Sequence, residues 1–426
     1  MGKKFWQLIY YYFITPTILI VAHFASFFSA KIRRGLYPRY HSIRSLKEWL
    51  ARYEVANKKI LFHAASLGEF EHIKPLLKEL KQSYNTTNVI TFFSPSAYEN
   101  INESDDVDFY LYMPFDTPTN WKKIYSILNP SMIIFAKYDV WPAQVWMAKQ
   151  MGIPLYLINA TLKINSSRTY FAVKHFLDYV YCDFNDIFAI SDEDANRILK
   201  NFPGCHVQVT GDTKYDQVIV RKNYALTRDL IPLTWFKDYW ILVAGSIWLE
   251  DEEYLLPALS YILEKYPKFK IVLVPHIPDD RSVNRLIYYF NKWGVILFSQ
   301  VKNIDMERIL IIDSVGLLAE IYRYAQLAYV GGSFKMRIHN VMEPAIYGIP
   351  VLYGFKYENS YEAIKLAENN GGITVHNSED ISNAIESLII NEEKRVKLGK
   401  KAEQYATLNT GATARLIHRW ENILGE

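Results

Sequence analysis

Residues 58–72 read KKILFHAASLGEFEH, and this stretch decides the predicted fold. Its apolar run, residues 60–65, is typical of a buried parallel strand, and Ser66-Leu67-Gly68 breaks the run before a helical pattern that begins at Phe70. Glu69 is therefore expected where a strand ends and a helix starts. Ligands bind at that edge of an open α/β sheet. There Glu69 could accept a proton from an attacking hydroxyl, or it could merely complement the helix dipole.

The composition sets limits on the class of protein. The chain has 426 residues, half of them hydrophobic, which is enough for two domains with full cores. A formal charge of +3 without a long basic stripe argues against nucleic-acid binding. The two cysteines, Cys182 and Cys205, fit a reducing compartment and cannot form a disulfide framework. The histidines at 63, 276 and 339 stand singly, so we expect no metal site and no cofactor.

The N-terminal segment is apolar, because residues 5–30 contain no formally charged side chain. It is long enough to span a bilayer, which takes roughly 20 residues, and Pro16 would also permit a kinked helix in the interface. A basic cluster follows: Lys31, Arg33, Arg34 and Arg39. That cluster argues against a cleaved signal peptide and predicts that the main body lies in the cytoplasm. We expect residues 1–38 to be a membrane anchor that contributes to neither domain core.

After Pro38, short apolar runs alternate with amphipathic stretches, which predicts two doubly wound parallel sheets in an α/β fold. The predicted strands of the first half, besides residues 60–65, are 89–93, 109–113, 132–135, 155–158 and 187–190. Those of the second half are 240–244, 270–274, 309–312, 327–330 and 351–353. Two such halves would face each other across a cleft.

The predicted organisation therefore has five parts. They are an anchor (1–38), an acceptor-binding domain (39–216), a polar linker (217–236), a nucleotide-binding domain (237–391) and a helical segment that crosses back to the first domain (392–426).

The second half carries a candidate phosphate site. Gly331 and Gly332 end a predicted strand, and residues 339–345 (HNVMEPA) open a predicted helix. Glycines let the backbone approach a phosphate, and a helix N-terminus supplies N–H donors. Glu343, one turn into that helix, could accept hydrogen bonds from both hydroxyls of a ribose.

Two further breaks after strands supply candidates. Ser246 follows Ala244-Gly245 and is the better ligand candidate there, whereas the acidic run 250–253 is read as a helix-dipole complement on a solvated face. Lys214, in the run TGDTKYD (210–216), could neutralise a phosphate, and the alternative is an ordinary surface lysine.

Over nearly its whole length the chain resembles the 3-deoxy-D-manno-octulosonic acid (Kdo) transferases of lipopolysaccharide assembly, which are GT-B glycosyltransferases. The resemblance rests on the N-terminal apolar segment and on the order of the motifs FHAASLGEFE, FFSPSAYE, MPFDTP, INATL, AISDEDA, VTGDTKYD, VAGS, GGSF and HNVMEPAIYGIPVLYG, with Trp141-Pro142 opening a helix. It implies a CMP-Kdo donor, a lipid A precursor (lipid IVA) as acceptor, and inverting displacement without a metal.

The resemblance also implies roles for residues. Glu69 matches the catalytic base, Gly68 the residue that lets the acceptor come close beside Ser66, and Asp139 a second acidic residue near the acceptor. The positions that match CMP-binding residues are Lys214, Ser246, Gly332, Ser333, Asn340 and Glu343. The chain departs from the family pattern at residues 137–139 and 335–338, and Trp248 stands where a histidine is frequent.

Three other interpretations stay open at this point. A lipid-directed GT-B enzyme that uses a UDP-sugar would share the Glu-Pro element, and a UDP-hexosamine epimerase would share the fold. A non-catalytic membrane scaffold is the third, and Glu69 together with Glu343 argues against it.

Overall fold

The computed structural model describes residues 2–425 except 102, 138, 164, 165, 305 and 336, so Tyr138 and Met336 of the two variant stretches lie outside the described residues. The chain divides into two compact units. Unit 1 comprises Met1–Gln217 with Thr410–Glu426, and unit 2 comprises Val218–Asn409.

Unit 1 is built on a sheet of seven parallel strands. They are β1 (Lys59–Ala64), β2 (Thr87–Phe92), β3 (Phe109–Tyr112), β4 (Met132–Ala136), β5 (Leu155–Ala160), β6 (Asp186–Ala189) and β7 (Val207–Val209), in the spatial order 3-2-1-4-5-6-7. Leu61 of β1 pairs with Val89 of β2 on one side and with Ile133 of β4 on the other. The chain changes direction across the sheet between β1 and β4, which is a topological switch point.

Unit 2 repeats this plan. Its strands are β8 (Trp240–Ile247), β9 (Phe269–Pro275), β10 (Val295–Leu297), β11 (Ile309–Ile311), β12 (Leu327–Val330), β13 (Val351–Gly354) and β14 (Gly372–Val375), in the spatial order 10-11-9-8-12-13-14. All are parallel, and Gly245 of β8 pairs with Val330 of β12 at the switch point of this sheet.

Helices cover both faces of each sheet. The α-helices are α1 (Lys3–Ile9), α2 (Thr15–Ser26), α3 (Ala30–Leu36), α4 (Ser42–Arg52), α5 (Leu67–Tyr84), α6 (Pro95–Glu99), α7 (Pro118–Leu128), α8 (Pro142–Gln150), α9 (Phe171–Tyr181), α10 (Asp192–Asn201), α11 (Thr213–Leu226), α12 (Leu233–Phe236), α13 (Leu249–Lys265), α14 (Asp280–Phe290), α15 (Leu318–Ile321), α16 (Met342–Ala345), α17 (Tyr361–Glu368), α18 (Ser378–Ile390), α19 (Glu392–Leu408) and α20 (Ala412–Leu424). Short 3₁₀ turns lie at Tyr37–Tyr40, Ser167–Thr169, Asn291–Trp293, Phe298–Asn303 and Tyr322–Tyr324.

Each sheet has an apolar core on both faces, as expected for covered parallel strands. In β1, Leu61 faces one core while Ile60 and Phe62 face the other. In β8, Leu242 faces one core and Val243 faces the other. The two predicted doubly wound halves are confirmed, and the fold is of the GT-B type.

The N-terminal segment forms one long apolar helix over Lys3–Ser26, in which α1 and α2 are joined by a π-helical turn at Tyr10–Ile14. Its length and composition would allow it to cross a membrane. The prediction that it adds nothing to a core is wrong. Tyr10 is 7% exposed, packs in the core of unit 1 and donates a hydrogen bond of 2.8 Å to Asp116 Oδ2. Lys3 pairs with Asp183 at 2.5 Å.

The predicted linker, residues 217–236, is instead part of unit 2 from Val218 onward. It contains most of α11 and all of α12, and Trp235 is buried in a core cluster of that unit. Its polar, proline-containing sequence marks short connections rather than a loose tether.

The C-terminal segment, expected as a crossing helix over 392–426, is broken at Gly411, where φ is +86°. Helix α19 belongs to unit 2, and only the part from Thr410 returns to unit 1. There Trp420 of α20 is fully buried against Tyr156 and Phe188. The return is therefore shorter than predicted.

The two cysteines are bonded in the structure. Cys182, at the end of α9, and Cys205, before β7, form a disulfide within unit 1. This bond differs from the expectation of two reduced thiols, because the fold brings together two cysteines that are 23 residues apart in the sequence.

Candidate functional site

Glu69 lies in the first turn of α5, which begins at Leu67 rather than at the predicted Phe70. Ser66 is the N-cap, and its Oγ accepts a hydrogen bond from the Glu69 N–H at 3.3 Å. The Glu69 carboxylate accepts from the Ala65 N–H through Oε2 at 2.7 Å. This arrangement differs from a capping box by one residue, because the carboxylate accepts from Ala65 and not from the cap residue Ser66. It fixes the carboxylate at the end of β1, with the side chain 7% exposed.

The electrostatic surroundings of Glu69 come from the loop after β4, which neighbours β1 across the switch point. Burial raises the pKa of Glu69, the Ala65 N–H lowers it, and the Asp139 carboxylate raises it again while Lys137 lowers it. The net direction is upward. Burial also raises the pKa of Asp139, against the opposing charge of Arg168. A carboxylate with a raised pKa is a stronger base than an ordinary glutamate.

Gly68 stands next to open space. A Cβ built on it would meet only Ser66 Oγ, at 3.9 Å. Packing therefore does not require glycine at this position, and a side chain here would occupy the space in front of the helix. That agrees with a role in close approach of a ligand.

A second cluster of polar side chains surrounds the start of α11. Asn159 and Thr213 exchange hydrogen bonds of 2.8 and 3.0 Å, and Thr213 Oγ1 donates to the His72 carbonyl at 2.6 Å. Lys214 Nζ lies 3.4 Å from Asp212 Oδ2. Burial alone would raise the pKa of Asp212.

The charges nearby reverse that effect. Lys214, His72 and Lys137 bring the pKa of Asp212 below its usual value. Lys137 acts on both Glu69 and Asp212, so the switch point of unit 1 carries a cluster of mixed charge. Lys137 itself adopts φ +65°, a conformation that non-glycine residues rarely take and that often marks functional loops.

In unit 2, the candidate residue Ser246 lies within β8, directly after Gly245, which pairs with Val330 of β12. The candidate Gly332 lies two residues after Val330. Ser246 has φ +53° and Gly332 has φ +94°. A Cβ on Gly331 would lie 2.3 Å from the Ser246 carbonyl oxygen, and one on Gly332 would lie 2.1 Å from the Arg337 carbonyl oxygen. Both glycines are therefore required by the local backbone itself. The Ser333 hydroxyl is buried and accepts a hydrogen bond of 2.6 Å from the Gly354 N–H.

The acidic run 250–253 is only partly the solvated face that the sequence suggested, because Glu253 is exposed whereas Asp251 and Glu252 are buried. Asp251 is fully buried and its Oδ2 accepts from the N–H groups of Trp248 and Gly332, each at 2.8 Å. Its Oδ1 accepts from the Tyr329 hydroxyl at 2.9 Å. Asp251 thus connects the first turn of α13 to the glycine turn, a role that no sequence motif indicated.

Glu252 is buried as well. Its carboxylate pairs with Arg285 through two hydrogen bonds of 2.6 Å. Both acidic side chains contribute to the packing of unit 2.

The predicted helix over 339–345 is only α16, a single turn that begins at Met342. Glu343 lies in that turn, with 12% of its side chain exposed, and its Oε1 accepts from Arg221 Nη1 at 2.7 Å. Asn340 accepts from the Met342 N–H at 3.0 Å and reaches Glu343 Oε1 at 3.4 Å. Arg221 was missed because it lies on α11, far from Glu343 in the sequence.

Histidines that stand singly in the sequence come together in unit 2. Trp248 stacks on His276 at 4.0 Å between ring centroids and donates a hydrogen bond of 2.8 Å to His339 Nε2. Lys335 Nζ lies 4.3 Å from the Trp248 ring centroid. Burial, aided by His276, lowers the pKa of His339 to about 4. His339 is therefore neutral near pH 7, and the cluster presents flat rings beside the glycine turn.

Comparison with known proteins gives this geometry a family context. Residues 41–217 match the family described as 3-deoxy-D-manno-octulosonic-acid transferase (kdotransferase). The 3-deoxy-D-manno-octulosonic acid transferase of Haemophilus influenzae is 28% identical over 368 residues, which cover 84% of this chain and 85% of that protein. The chain is thus similar to proteins named Kdo transferase over most of its length.

Another Kdo transferase, from Aquifex aeolicus, is 28% identical over 366 residues and covers 84% of this chain and 94% of its own. The fold likeness extends further. A UDP-GlcNAc 2-epimerase from Neisseria meningitidis, bound to UDP-GlcNAc, superposes with a TM-score of 0.59 at 14% identity, over 85% of this chain and all of that one.

Proposed function

We propose that this protein is a glycosyltransferase that transfers Kdo from CMP-Kdo to a lipid A precursor in lipopolysaccharide core biosynthesis. The observation that carries the proposal is Glu69, a buried carboxylate with a raised pKa at a sheet switch point, inside the stretch that matches the Kdo transferase family. The relatives that bear the name Kdo transferase match over most of the chain.

The proposed step is a direct displacement that inverts the anomeric carbon. A hydroxyl of the acceptor attacks that carbon, the bond from the carbon to the phosphate oxygen of CMP breaks, and the hydroxyl proton passes to Glu69. CMP leaves with the electron pair of the broken bond. Asp139 serves here by keeping the pKa of Glu69 high, and Ser66 and Gly68 lie on the acceptor side.

The proposed donor residues have distinct tasks. Glu343 accepts hydrogen bonds from the ribose, which a carboxylate can do while it also pairs with Arg221. Ser246, Gly332 and Asn340 would contact the phosphate and nucleoside, and Ser333 would act by holding the glycine turn through Gly354.

Lys214 would neutralise the charge that develops on the leaving phosphate. Its ammonium already lies near Asp212, so its position is held by a carboxylate.

We also propose that the N-terminal helix attaches the protein to the inner membrane with its catalytic units on the cytoplasmic face. The helix contacts unit 1 through Tyr10 while residues such as Val21 and Phe24 are 60% and 67% exposed. A helix with one face on protein and one face apolar and open favours an orientation along the membrane interface. The exposed Lys31, Arg33 and Arg34 suit an anionic leaflet.

The catalytic proposal is tested with purified Glu69→Gln and Glu343→Gln. With CMP-Kdo and a lipid A precursor, Glu69→Gln should lower kcat by about 100-fold or more while CMP binding is kept, since a general base contributes roughly 10²–10⁴ in rate. Glu343→Gln should instead weaken CMP binding first. Product is followed by mass spectrometry. Near wild-type turnover of Glu69→Gln would exclude Glu69 as the base.

Nucleotide binding separates a Kdo transferase from a UDP-sugar enzyme or epimerase of the same fold. We expect CMP to bind at least about tenfold more tightly than UDP, a difference of about 1.4 kcal/mol. The reason is that the proposed site offers one glycine turn, Lys214 and one ribose-binding carboxylate, which suit a single phosphate. Titration calorimetry with both nucleotides measures this, and a preference for UDP would favour the alternative class.

A further inference from the structure

A large apolar cavity lies within unit 1, between the N-terminal helix and the sheet. Its volume is about 340 Å³. One wall comes from α2 and α3, through Ile18, Leu19, Ala22, Ile32 and Leu36. The other comes from the loops after β2, β3 and β4, through Phe93, Pro95, Met113, Pro114, Phe115 and Trp141.

The cavity lies at the end of the sheet that carries Glu69. The wall formed by the loops follows the carboxyl ends of β2, β3 and β4, and β1 lies between β2 and β4 in the sheet. The Ser94 N–H donates to the Ala65 carbonyl at 3.1 Å, so the loop that bears Phe93 is bonded directly to the loop that leads to Glu69. A molecule could therefore occupy the cavity with one part and the Glu69 edge with another.

Few polar groups line the cavity. Asp116 is already used by Tyr10, Trp121 and the N-terminus of α8. The Arg39 guanidinium donates to the carbonyls of Gly35, Met113 and Phe93.

Three polar groups remain to be explained, and one of them is the Thr15 hydroxyl, which is buried without a hydrogen-bond partner among the described residues. The Trp141 indole N–H is buried and has no hydrogen-bond partner among the described residues. Exposed Lys31 lies at the cavity's edge. A buried donor without a partner is costly, and an ester or amide carbonyl would satisfy it.

The wall formed by α2 and α3 continues into a surface that would contact a membrane. On α2 the inward positions Thr15, Ile18, Leu19, Ala22 and Ser26 recur at three- and four-residue spacing, as on one helix face. Ile18 is 58% exposed although it lines the cavity, so the apolar lining reaches the open face of the helix.

We propose that this cavity holds one acyl chain of the lipid acceptor, with the chain's carbonyl near Trp141 and an anionic group of the headgroup near Lys31. This inference rests on the proposed transferase function and deepens it. The N-terminal helix is then a wall of the acceptor site as well as an anchor. The acyl chain leaves the bilayer along α2 and fixes the acceptor sugar in front of Glu69.

The test compares two full-length variants that carry the same added ring. Ala22→Phe fills the cavity, whereas Val21→Phe puts the ring on the outward face of the same helix. The probe is a lipid A precursor whose acyl chains end in a diazirine, presented in phospholipid vesicles and activated by light. Labelled peptides are mapped by mass spectrometry, and transfer is measured in parallel with the acylated acceptor and with the same sugar after deacylation.

We expect labels on cavity-lining residues of α2, α3 and the loop 113–116 in the wild type and in Val21→Phe. Ala22→Phe should lose them and raise KM for the acylated acceptor at least about tenfold, which corresponds to about 1.4 kcal/mol. Its kcat/KM on the deacylated sugar should match that of the wild type. Ile32→Trp, from α3 on the same wall, serves as the second cavity-filling variant if Ala22→Phe melts early.

Several outcomes would overturn the inference. Labels confined to Val21, Phe24 and Phe28 would leave the helix as an anchor only. If added phospholipid reduced the labelling of the cavity as much as unlabelled acceptor does, the cavity would be assigned to bulk lipid. Absence of Kdo transfer in the wild type, with Ala22-dependent labelling intact, would instead overturn the proposed function and leave the acyl-chain site standing.

Discussion

At the residue scale, the central observation is that Glu69 is controlled by side chains far away in the sequence. Ser66 and Ala65 hold its carboxylate locally, and these were within reach of the sequence because a serine three residues before a glutamate predicts a helix cap. Lys137 and Asp139 reach Glu69 only because β4 lies next to β1. Asp139 was expected near the acceptor through the resemblance alone, and no spacing indicated Lys137.

The pH dependence of transfer tests this arrangement. A base works in its ionised form, so activity falls as the pH drops through the pKa of Glu69. Asp139→Asn removes a charge that raises this pKa, so the acid limb of the kcat/KM profile should move to lower pH. Lys137→Met removes a charge that lowers it and should move the limb to higher pH.

Profiles of kcat/KM against pH for the wild type and both variants decide the matter. If the acid limb moved in the same direction for both variants, the proposed control of the Glu69 pKa by Asp139 and Lys137 would be contradicted. An unmoved limb with a lower plateau would mean that the two side chains act on acceptor binding instead.

At the element scale, the sequence predicted the central strands well and the edges poorly. The runs at β1, β4, β8 and β12 are continuous and apolar because these strands are buried on both faces. The strands that were missed, β7, β10 and β14, are short edge strands with mostly half-buried side chains. Half-buried residues give no continuous apolar run, so the pattern resembles a loop.

Buried carboxylates join elements in a way that patterns could not predict. In unit 1, Asp116 accepts hydrogen bonds from Tyr10, from the Trp121 indole and from two N–H groups of α8. It thereby fixes the motif MPFDTP to the helix that Pro142 opens. Asp251 has the same role in unit 2, between α13 and the glycine turn.

Removal of the Asp251 carboxylate should loosen the candidate nucleotide turn. Asp251→Ala leaves the N–H groups of Trp248 and Gly332 and the Tyr329 hydroxyl without their partner, and each unsatisfied buried group costs about 1–3 kcal/mol. We expect a lower free energy of unfolding and weaker CMP binding, with partial recovery in Asp251→Asn. Exposed Glu253→Ala is the control. Calorimetric melting and CMP titration measure both, and wild-type values for Asp251→Ala would refute the role.

At the scale of the whole molecule, the N-terminal helix is part of unit 1. No pattern in the sequence predicts this, because an apolar run without charge has the same composition whether it contacts lipid or protein. What distinguishes the two is Tyr10, whose hydroxyl finds a buried carboxylate more than a hundred residues away. Trp6 adds an edge-to-face contact with Phe176 at 5.5 Å.

Deletion of residues 1–30 should therefore destabilise unit 1 as well as weaken membrane attachment. The loss of the buried Tyr10 side chain is worth about 1.5–3 kcal/mol, and its hydrogen bond to a carboxylate is worth a further 1.5–3 kcal/mol or so. Full-length Tyr10→Phe loses only the hydrogen bond. Its melting temperature should therefore lie between those of the wild type and the truncated protein. Scanning calorimetry in detergent measures the series. A truncated protein that melts with the wild type would return the helix to the role of a simple anchor.

Helix α20 makes the order of synthesis matter. Trp420 and Leu416 complete a core whose other side chains, such as Tyr156 and Phe188, leave the ribosome much earlier. Asp216 likewise waits for the N–H groups of Gly411 and Thr413, to which its carboxylate is bonded at 2.5 and 2.6 Å. Unit 2 is contiguous in sequence and can close first, while the half of the chain that bears Glu69 stays open along one face until residues 410–425 emerge. A nascent chain held at the membrane by its first helix would thus complete the unit that bears Glu69 last.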